Sequence, residues 1–180
     1  MNLVYICRHH GLSEVADYWE KVVLINEYQQ SRFVQKMLTA MFNTVVGKKI
    51  ALFGFAFKKN TGDTRESPAI FISRKLIEER ASLAITDPQA LENAKIDLES
   101  FGDEVAYVDD PYKAAENAHA IAVITEWDCY RELDYEKIFS SMVKPAFIFD
   151  GRNILDHRKL FEIGFNVYPL GKKEMTHFKL

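Results

Sequence analysis

Between Glu14 and Asn43 the apolar positions recur at steps of three and four: Val15, Tyr18, Trp19, Val22, Ile25, Val34, Met37, Leu38 and Met41. That is the period of a helix face. No Gly or Pro interrupts the run, so the spacing predicts one helix over 14–43. Such a helix is about 45 Å long at 1.5 Å per residue. Ser13 is its expected N-cap. A shorter helical stub over 2–9 stops near Gly11, and Gly47 is expected to break the long helix. From there the pattern changes. Short apolar strands at 48–54, 82–86, 104–108, 120–125, 146–150 and 165–169 alternate with helices at 68–80, 89–101, 111–117, 134–142 and 155–163. Alternation of this kind means βαβ crossovers and a mostly parallel sheet. The expected fold is therefore α/β, doubly wound and Rossmann-like, from about 47 to 171, preceded by the long helix. That helix is longer than the core of the domain that follows, so part of it is expected to pack elsewhere. The tail from Lys172 to His177 shows no period and is expected to be frayed.

One loop stands out against this pattern. Gly54-Phe55-Ala56-Phe57-Lys58-Lys59-Asn60-Thr61-Gly62-Asp63-Thr64-Arg65-Glu66-Ser67 follows the first strand and precedes the helix that opens at Pro68. Parallel sheets place ligands at the carboxyl ends of their strands. A helix N-terminus adds free N–H donors and partial positive charge. Lys58, Lys59 and Arg65 bring three cations within eight residues. The loop reads as a site for a phosphate or diphosphate group. Arg152, after Asp150 and Gly151, places another cation at a strand end on the same sheet edge.

Composition narrows the class. The chain has 180 residues, is 48% hydrophobic and carries a net charge of −3. It can bury a substantial core, and nothing in its charge suggests a nucleic-acid or membrane-surface partner. No apolar run reaches the roughly 18 residues of a membrane span. Leu3–Cys7 is short and is followed by Arg8-His9-His10, which does not read as a signal peptide. Cys7 and Cys129 lie far apart in no metal or redox spacing, so both read as structural, in a reduced cytoplasmic setting. His9 and His10 read as surface residues.

The loop sequence from Gly54 to Ser67 resembles the signature of the UDP-glucose 6-dehydrogenase family, where it opens the C-terminal UDP-sugar-binding domain. Asn2–Cys7, Glu14–Trp19, Thr125–Asp128, Glu132–Tyr135 and Lys144–Arg152 resemble the animal enzymes in the same order, so the likeness covers nearly the whole chain. Asn60 departs from the Asp common at its place, and the stretch from Asp87 to Asp110 looks shorter than in animal relatives. The Gly-x-Gly-x-x-Gly turn of the family's NAD domain and its nucleophilic Cys are not found here, so the chain resembles the C-terminal portion of such an enzyme.

The resemblance implies roles. Phe57, Lys58 and Arg152 match positions that bind the UDP-sugar; Arg65 matches the arginine that faces NAD. A guanidinium fork suits a diphosphate because it bonds two oxygens at once. From the residues alone, Arg65 could equally pair with Asp63 or Glu66, and Arg152 with Asp150 or Asp156. Thr61, Asp63 and Thr64 are expected to shape the loop through side-chain to backbone bonds. Trp127 stays open between a uridine wall and a packing residue, and Lys59 has no assigned role. Residues 1–46 are expected to end a central helical region that pairs subunits, and 47–180 to bind UDP-glucose. The isolated chain is expected to be inactive and to form a homo-oligomer through 14–43. A stand-alone UDP-sugar-binding or subunit-interaction protein, and a fragment of a related GDP-mannose type dehydrogenase, remain alternatives.

Overall fold

The computed structural model of the protein describes residues 2–178. Helix α1 (Asn2–His9) turns into the 28-residue helix α2 (Ser13–Ala40). There follow β1 (Lys49–Phe53), α3 (Pro68–Glu78), β2 (Ser82–Thr86), α4 (Leu91–Asp97), β3 (Val105–Tyr107), α5 (Pro111–Ala115), β4 (Ala120–Val123), α6 (Tyr135–Ser141), β5 (Phe147–Asp150), α7 (His157–Ile163) and β6 (Asn166–Pro169). The six strands form one sheet in the order β3-β2-β1-β4-β5-β6, with every paired strand parallel. The expected α/β fold is present, and all its strands fall inside the expected spans. Every residue of β4, β5 and β6 is buried, as a parallel sheet with both faces covered requires. The chain leaves β1 toward β2 and β3, then returns to β1's other side with β4. A crevice at the carboxyl ends of β1 and β4 is the topological switch point, where ligands of such sheets bind.

The long helix ends earlier than its sequence suggests. Phe42 and Asn43 adopt left-handed backbone with φ of 66° and 59°, so α2 stops at Ala40 and Gly47 serves the turn before β1 instead. Lys48 closes the end: its Nζ donates to the carbonyls of Met41 and Thr44, both at 2.7 Å. Ser13 is the first helical residue, not the cap. Leu12 holds the N-cap position without a side-chain bond.

Helix α2 has two unlike halves. Phe33, Val34, Met37 and Ala40 are buried in the same core as the sheet, and the Phe33 ring meets Phe149 of β5 edge-on at 6.4 Å. The first half packs on α1 through Ala16 and Cys7. Its larger apolar residues stay exposed: Tyr18 at 65%, Ile25 at 59% and Tyr28 at 63%. This half lies beyond the sheet, and within the chain it packs against α1.

One further expectation is corrected. The tail is docked rather than frayed. Met175 and Val167 exchange backbone bonds of 2.8 and 3.0 Å, which adds an antiparallel bridge to the outer edge of β6. Glu174 pairs with Lys36 of α2, and the His177 ring stacks on Phe161 at 4.1 Å. An open sheet edge presents unpaired N–H and C=O groups, and this pairing satisfies some of them without any periodic pattern. Of the two cysteines, Cys7 is buried and Cys129 exposed. Among the described residues no helix is long and apolar enough to cross a membrane.

The asymmetry of α2 is measurable. Met37, with no exposed surface, should cost about 2–5 kcal/mol when replaced by Ala. Ile25→Ala should change monomer stability by no more than about 0.5 kcal/mol. Urea unfolding at low protein concentration checks both, and equal losses at the two positions would contradict this packing.

Candidate functional site

The loop after β1 is held from both sides before it reaches its cations. The backbone N–H groups of Phe55 and Ala56 donate to Asp87 Oδ2 at 2.7 and 2.9 Å. Their carbonyls accept from Ser67 Oγ and Thr125 Oγ1 at 2.7 and 2.6 Å. Gly54 makes the turn with φ of 95°, and a Cβ there would lie 2.4 Å from Thr125 Cβ. Only glycine fits that approach. Ser67 caps α3, with Pro68 in the first turn, and takes the N–H of Ala69. The free donors expected at the strand end and helix start are thus bonded within the protein. Cationic side chains remain as the means of holding a phosphate.

Beyond Ala56 the loop opens outward. Phe57 is 46% exposed and its N–H bonds Asp63 O, which closes the excursion. Thr61 and Asp63 shape it as expected, Asp63 N–H donating to Thr61 Oγ1 and Arg65 N–H to Asp63 Oδ1, whereas Thr64 does so through its backbone carbonyl, which accepts from Ser67 N–H. Of the alternatives for Arg65, the structure shows the pair with Asp63. Nε and Nη2 of Arg65 lie 2.9 and 2.7 Å from its two carboxylate oxygens. This bonding holds the Asp63 carboxyl at about 2, well below its usual value. Lys59 pairs with Asp128 at 2.8 Å, while Lys58 is exposed and has no ion pair or hydrogen bond among the described residues.

Arg152 comes to this loop from β5. Its Nε donates to the Ile124 carbonyl at 2.6 Å, and Nη2 reaches the Phe57 carbonyl at 3.3 Å. Its acidic neighbour is Glu126, 3.3 Å from Nε, rather than Asp150 or Asp156. Asp150 holds the turn instead. It is fully buried and accepts from the N–H groups of Arg152 and Leu155, with His157 Nε2 at 2.9 Å. Asp156 caps α7. A Cβ at Gly151 would stand 2.9 Å from the Val123 carbonyl and 3.4 Å from the Phe33 ring, so glycine lets β5, β4 and α2 meet.

A cleft of about 530 Å³ lies between α2 and this edge of the sheet. Phe57 and Arg152 line it with Ile124, Phe33 and Glu66, and Asn26, Gln29 and Gln30 of α2 supply amides along one wall. Its size is ordinary for a small-molecule site. Phe57 and Arg152 are therefore brought together. Lys58 stands beside Phe57 outside the lining, and Arg65 is turned to solvent with its side chain 87% exposed.

Sequence reasoning missed three groups. In the sequence Asp87 stands out only as the start of the stretch that looks shorter than in animal relatives. The α2 amides were overlooked because the helix was read by its apolar face alone, although 26, 29, 30 and 33 share one flank at helical spacing. Glu126 carried no signal beyond its place next to Trp127. Trp127 itself is buried, and its indole Nε1 donates to Asp87 Oδ2 at 3.0 Å, so it packs and bonds within the protein instead of forming an open wall. Burial pushes the Cys129 thiol up, away from a reactive thiolate, despite its exposure.

Comparison with known proteins agrees with this geometry. The chain is 48% identical over 191 aligned positions to UDP-glucose 6-dehydrogenase 1 of Arabidopsis thaliana, and 50% identical over 190 to UDP-glucose 6-dehydrogenase 3 of Oryza sativa subsp. japonica. Each match covers 96% of this chain but 40% of the relative, so the chain spans well under half the length of these curated relatives. A solved UDP-glucose dehydrogenase from the hyperthermophilic archaeon Pyrobaculum islandicum matches with a TM-score of 0.69 at 28% identity, covering 91% of this chain and 35% of that one. Residues 51–157, more than half of the chain and the part that carries the end of β1, the cationic loop and Arg152, match the UDP binding domain of the UDP-glucose/GDP-mannose dehydrogenase family, and the chain belongs to that family.

Proposed function

We propose that this chain forms the UDP-sugar half of an NAD-dependent UDP-glucose 6-dehydrogenase, which oxidises the sugar C6 alcohol to a carboxylate in two steps. The observation that carries the reading is the convergence of Phe57 and Arg152 on one cleft at the carboxyl end of the sheet, with exposed Lys58 next to Phe57 in the chain. A guanidinium held at Nε and Nη2 is pre-aligned, and Nη1 has no partner among the described residues. It can bond a diphosphate oxygen at little ordering cost. The exposed Phe57 ring offers an apolar face to a uracil or sugar ring. Glu27, Glu66 and the amides of Asn26, Gln29 and Gln30 can bond hydroxyls and base edges. Charge orders the ligand: phosphates belong beside Lys58 and Arg152, hydroxyls beside the carboxylates.

The fit to NAD is an edge contact only. The β1–α3 turn, where a dinucleotide would rest on this fold, has its donors bonded to Asp87, and Arg65, solvent-facing in its pair with Asp63, is the loop cation assigned to a cofactor held by another domain. NAD would accept the hydride; Arg65 would hold a cofactor phosphate once it leaves Asp63. Residues 1–46 would supply subunit pairing through the exposed half of α2, and 47–180 the sugar site, with Phe33 to Met41 shared by both. Two free cysteines suit a cytoplasmic enzyme.

Isothermal titration with UDP-glucose should give a dissociation constant from about 100 μM to 1 mM, about −5.5 to −4 kcal/mol. Lys58→Ala should weaken it by about 1.5 kcal/mol or more, the worth of a charge-assisted bond. Unchanged affinity would contradict the assignment. The chain alone, given UDP-glucose and NAD, should produce no NADH, because no Gly-x-Gly-x-x-Gly turn lies within these residues.

Two more outcomes follow from the loop and from α2. Carboxyl NMR should find Asp63 titrating at about 2, and Arg65→Ala should return it toward 3.8. The folded value is the depressed one, so the stabilisation from this pair is present above about pH 3.8 and disappears as pH falls through about 2. Sedimentation should show a dimer at high micromolar concentration, since exposed Tyr18, Ile25 and Tyr28 make an apolar stripe. Replacing Tyr18 and Ile25 by Lys should give a folded monomer, and a monomeric parent chain would refute the pairing.

A further inference from the structure

Asp87 stands at the end of β2, three strands away from Arg152 and outside the cleft, yet more of the site's backbone converges on it than on any residue that lines the cleft. Its carboxylate accepts five hydrogen bonds. Oδ1 takes the N–H groups of Gln89 and Ala90, each at 2.8 Å, and so fixes its own turn into α4. Oδ2 takes three donors from neighbouring strands: Phe55 and Ala56 after β1, and the Trp127 indole after β4. One buried anion therefore ties the carboxyl ends of β2, β1 and β4, which are adjacent in the sheet. Adjacent N–H groups at a β1 turn, aimed at an anion, are what this fold elsewhere offers to a dinucleotide phosphate. Here an anion of the protein fills that place.

We infer that Asp87 is the positioning residue of the UDP site, a built-in anion that fills the domain's own dinucleotide turn and thereby sets the loop that presents Phe57 and Lys58. This rests on the reading of the cleft as the UDP-sugar site. The chain of contacts is short. Asp87 fixes the N–H groups of Phe55 and Ala56; Thr125 and Ser67 fix their carbonyls; Phe57 is the next residue, and its own carbonyl accepts from Arg152. A shift at Ala56 is carried to both the ring and the guanidinium partner. The same contacts account for one domain binding UDP-sugar on a dinucleotide-type sheet without binding a dinucleotide there.

Asp87→Asn separates the two halves of this role. An amide has one acceptor oxygen and one donor nitrogen. The oxygen can keep the Gln89 and Ala90 bonds, which leaves the NH₂ facing the donors of Phe55, Ala56 and Trp127. The loop is released while the turn into α4 survives. Trp127→Phe removes one donor and leaves the carboxylate in place. Asp134→Ala, which removes the α6 cap bonded to Lys137 N–H, is a control that lowers stability far from the cleft.

The experiment is a UDP titration of the parent chain and these three variants, read with amide exchange at Phe55 and Ala56. Asp87→Asn should bind UDP about tenfold more weakly or worse and exchange faster at both amides, with the rest of the amide spectrum in place. Trp127→Phe should do the same to a smaller degree, and Asp134→Ala should bind as the parent does. If Asp87→Asn fails to fold, Trp127→Phe decides. Parent-like UDP affinity in the folded variants, whether or not exchange accelerates, overturns the role of Asp87. A parent chain that does not bind UDP instead overturns the reading of the cleft, which is a separate result.

Discussion

The site depends on one buried carboxylate. A charge removed from water is tolerated only when its lone pairs are satisfied, and Asp87 meets that condition with five donors drawn from three strand ends. Removing it would leave those donors unmatched in the interior, each at a cost of about 1–3 kcal/mol. The arrangement is stiff for the same reason. The loop is bonded through its N–H groups on one side and its carbonyls on the other, and Gly54 brings it against Thr125 more closely than any side chain would allow. The exposed ring of Phe57 is thus borne on a backbone that cannot easily move.

Around that anchor, two elements from opposite ends of the chain complete the cleft. Arg152 is aligned by the turn that Asp150 holds, so a second buried carboxylate repeats the device on β5. Helix α2 supplies the far wall. Its second half is part of the core, which fixes the angle at which Asn26, Gln29 and Gln30 face the sheet edge. One helix therefore serves core packing and the cleft wall along one face, at successive turns, and carries an exposed apolar stripe on another. A change to its packing at Phe33 would be felt at Gly151 and Arg152, since the Phe33 ring lies against the one and borders the cleft with the other.

Much of the fold was legible because parallel strands buried on both faces read as apolar runs between helical patterns, and every such run here became a strand. Helix ends were harder. Phe42 and Asn43 take left-handed backbone, so Gly47, the obvious breaker, was not the break. The docked tail carries no period because a single bridge and one stacked ring need none. Phe57, Lys58, Arg65 and Arg152 are proposed through charge at strand ends and through a family signature. Asp87 is not, because its importance lies in backbone donors that converge on it from loops distant in sequence. Asp-Pro after a strand is common in turns and gives no sign of five bonds. The amides of α2 were hidden for a different reason: a helix scanned for its apolar stripe shows its polar flank as mere solvent-facing surface.

The central claim is that the diphosphate sits outside a turn already filled by the protein's own anion. A crystal structure of this chain with UDP tests it most directly. The account predicts the diphosphate against Lys58 and Arg152, the uracil or ribose near Phe57, and all five Asp87 bonds intact. A diphosphate bound at the N–H groups of Phe55 and Ala56, with Asp87 displaced, would contradict it.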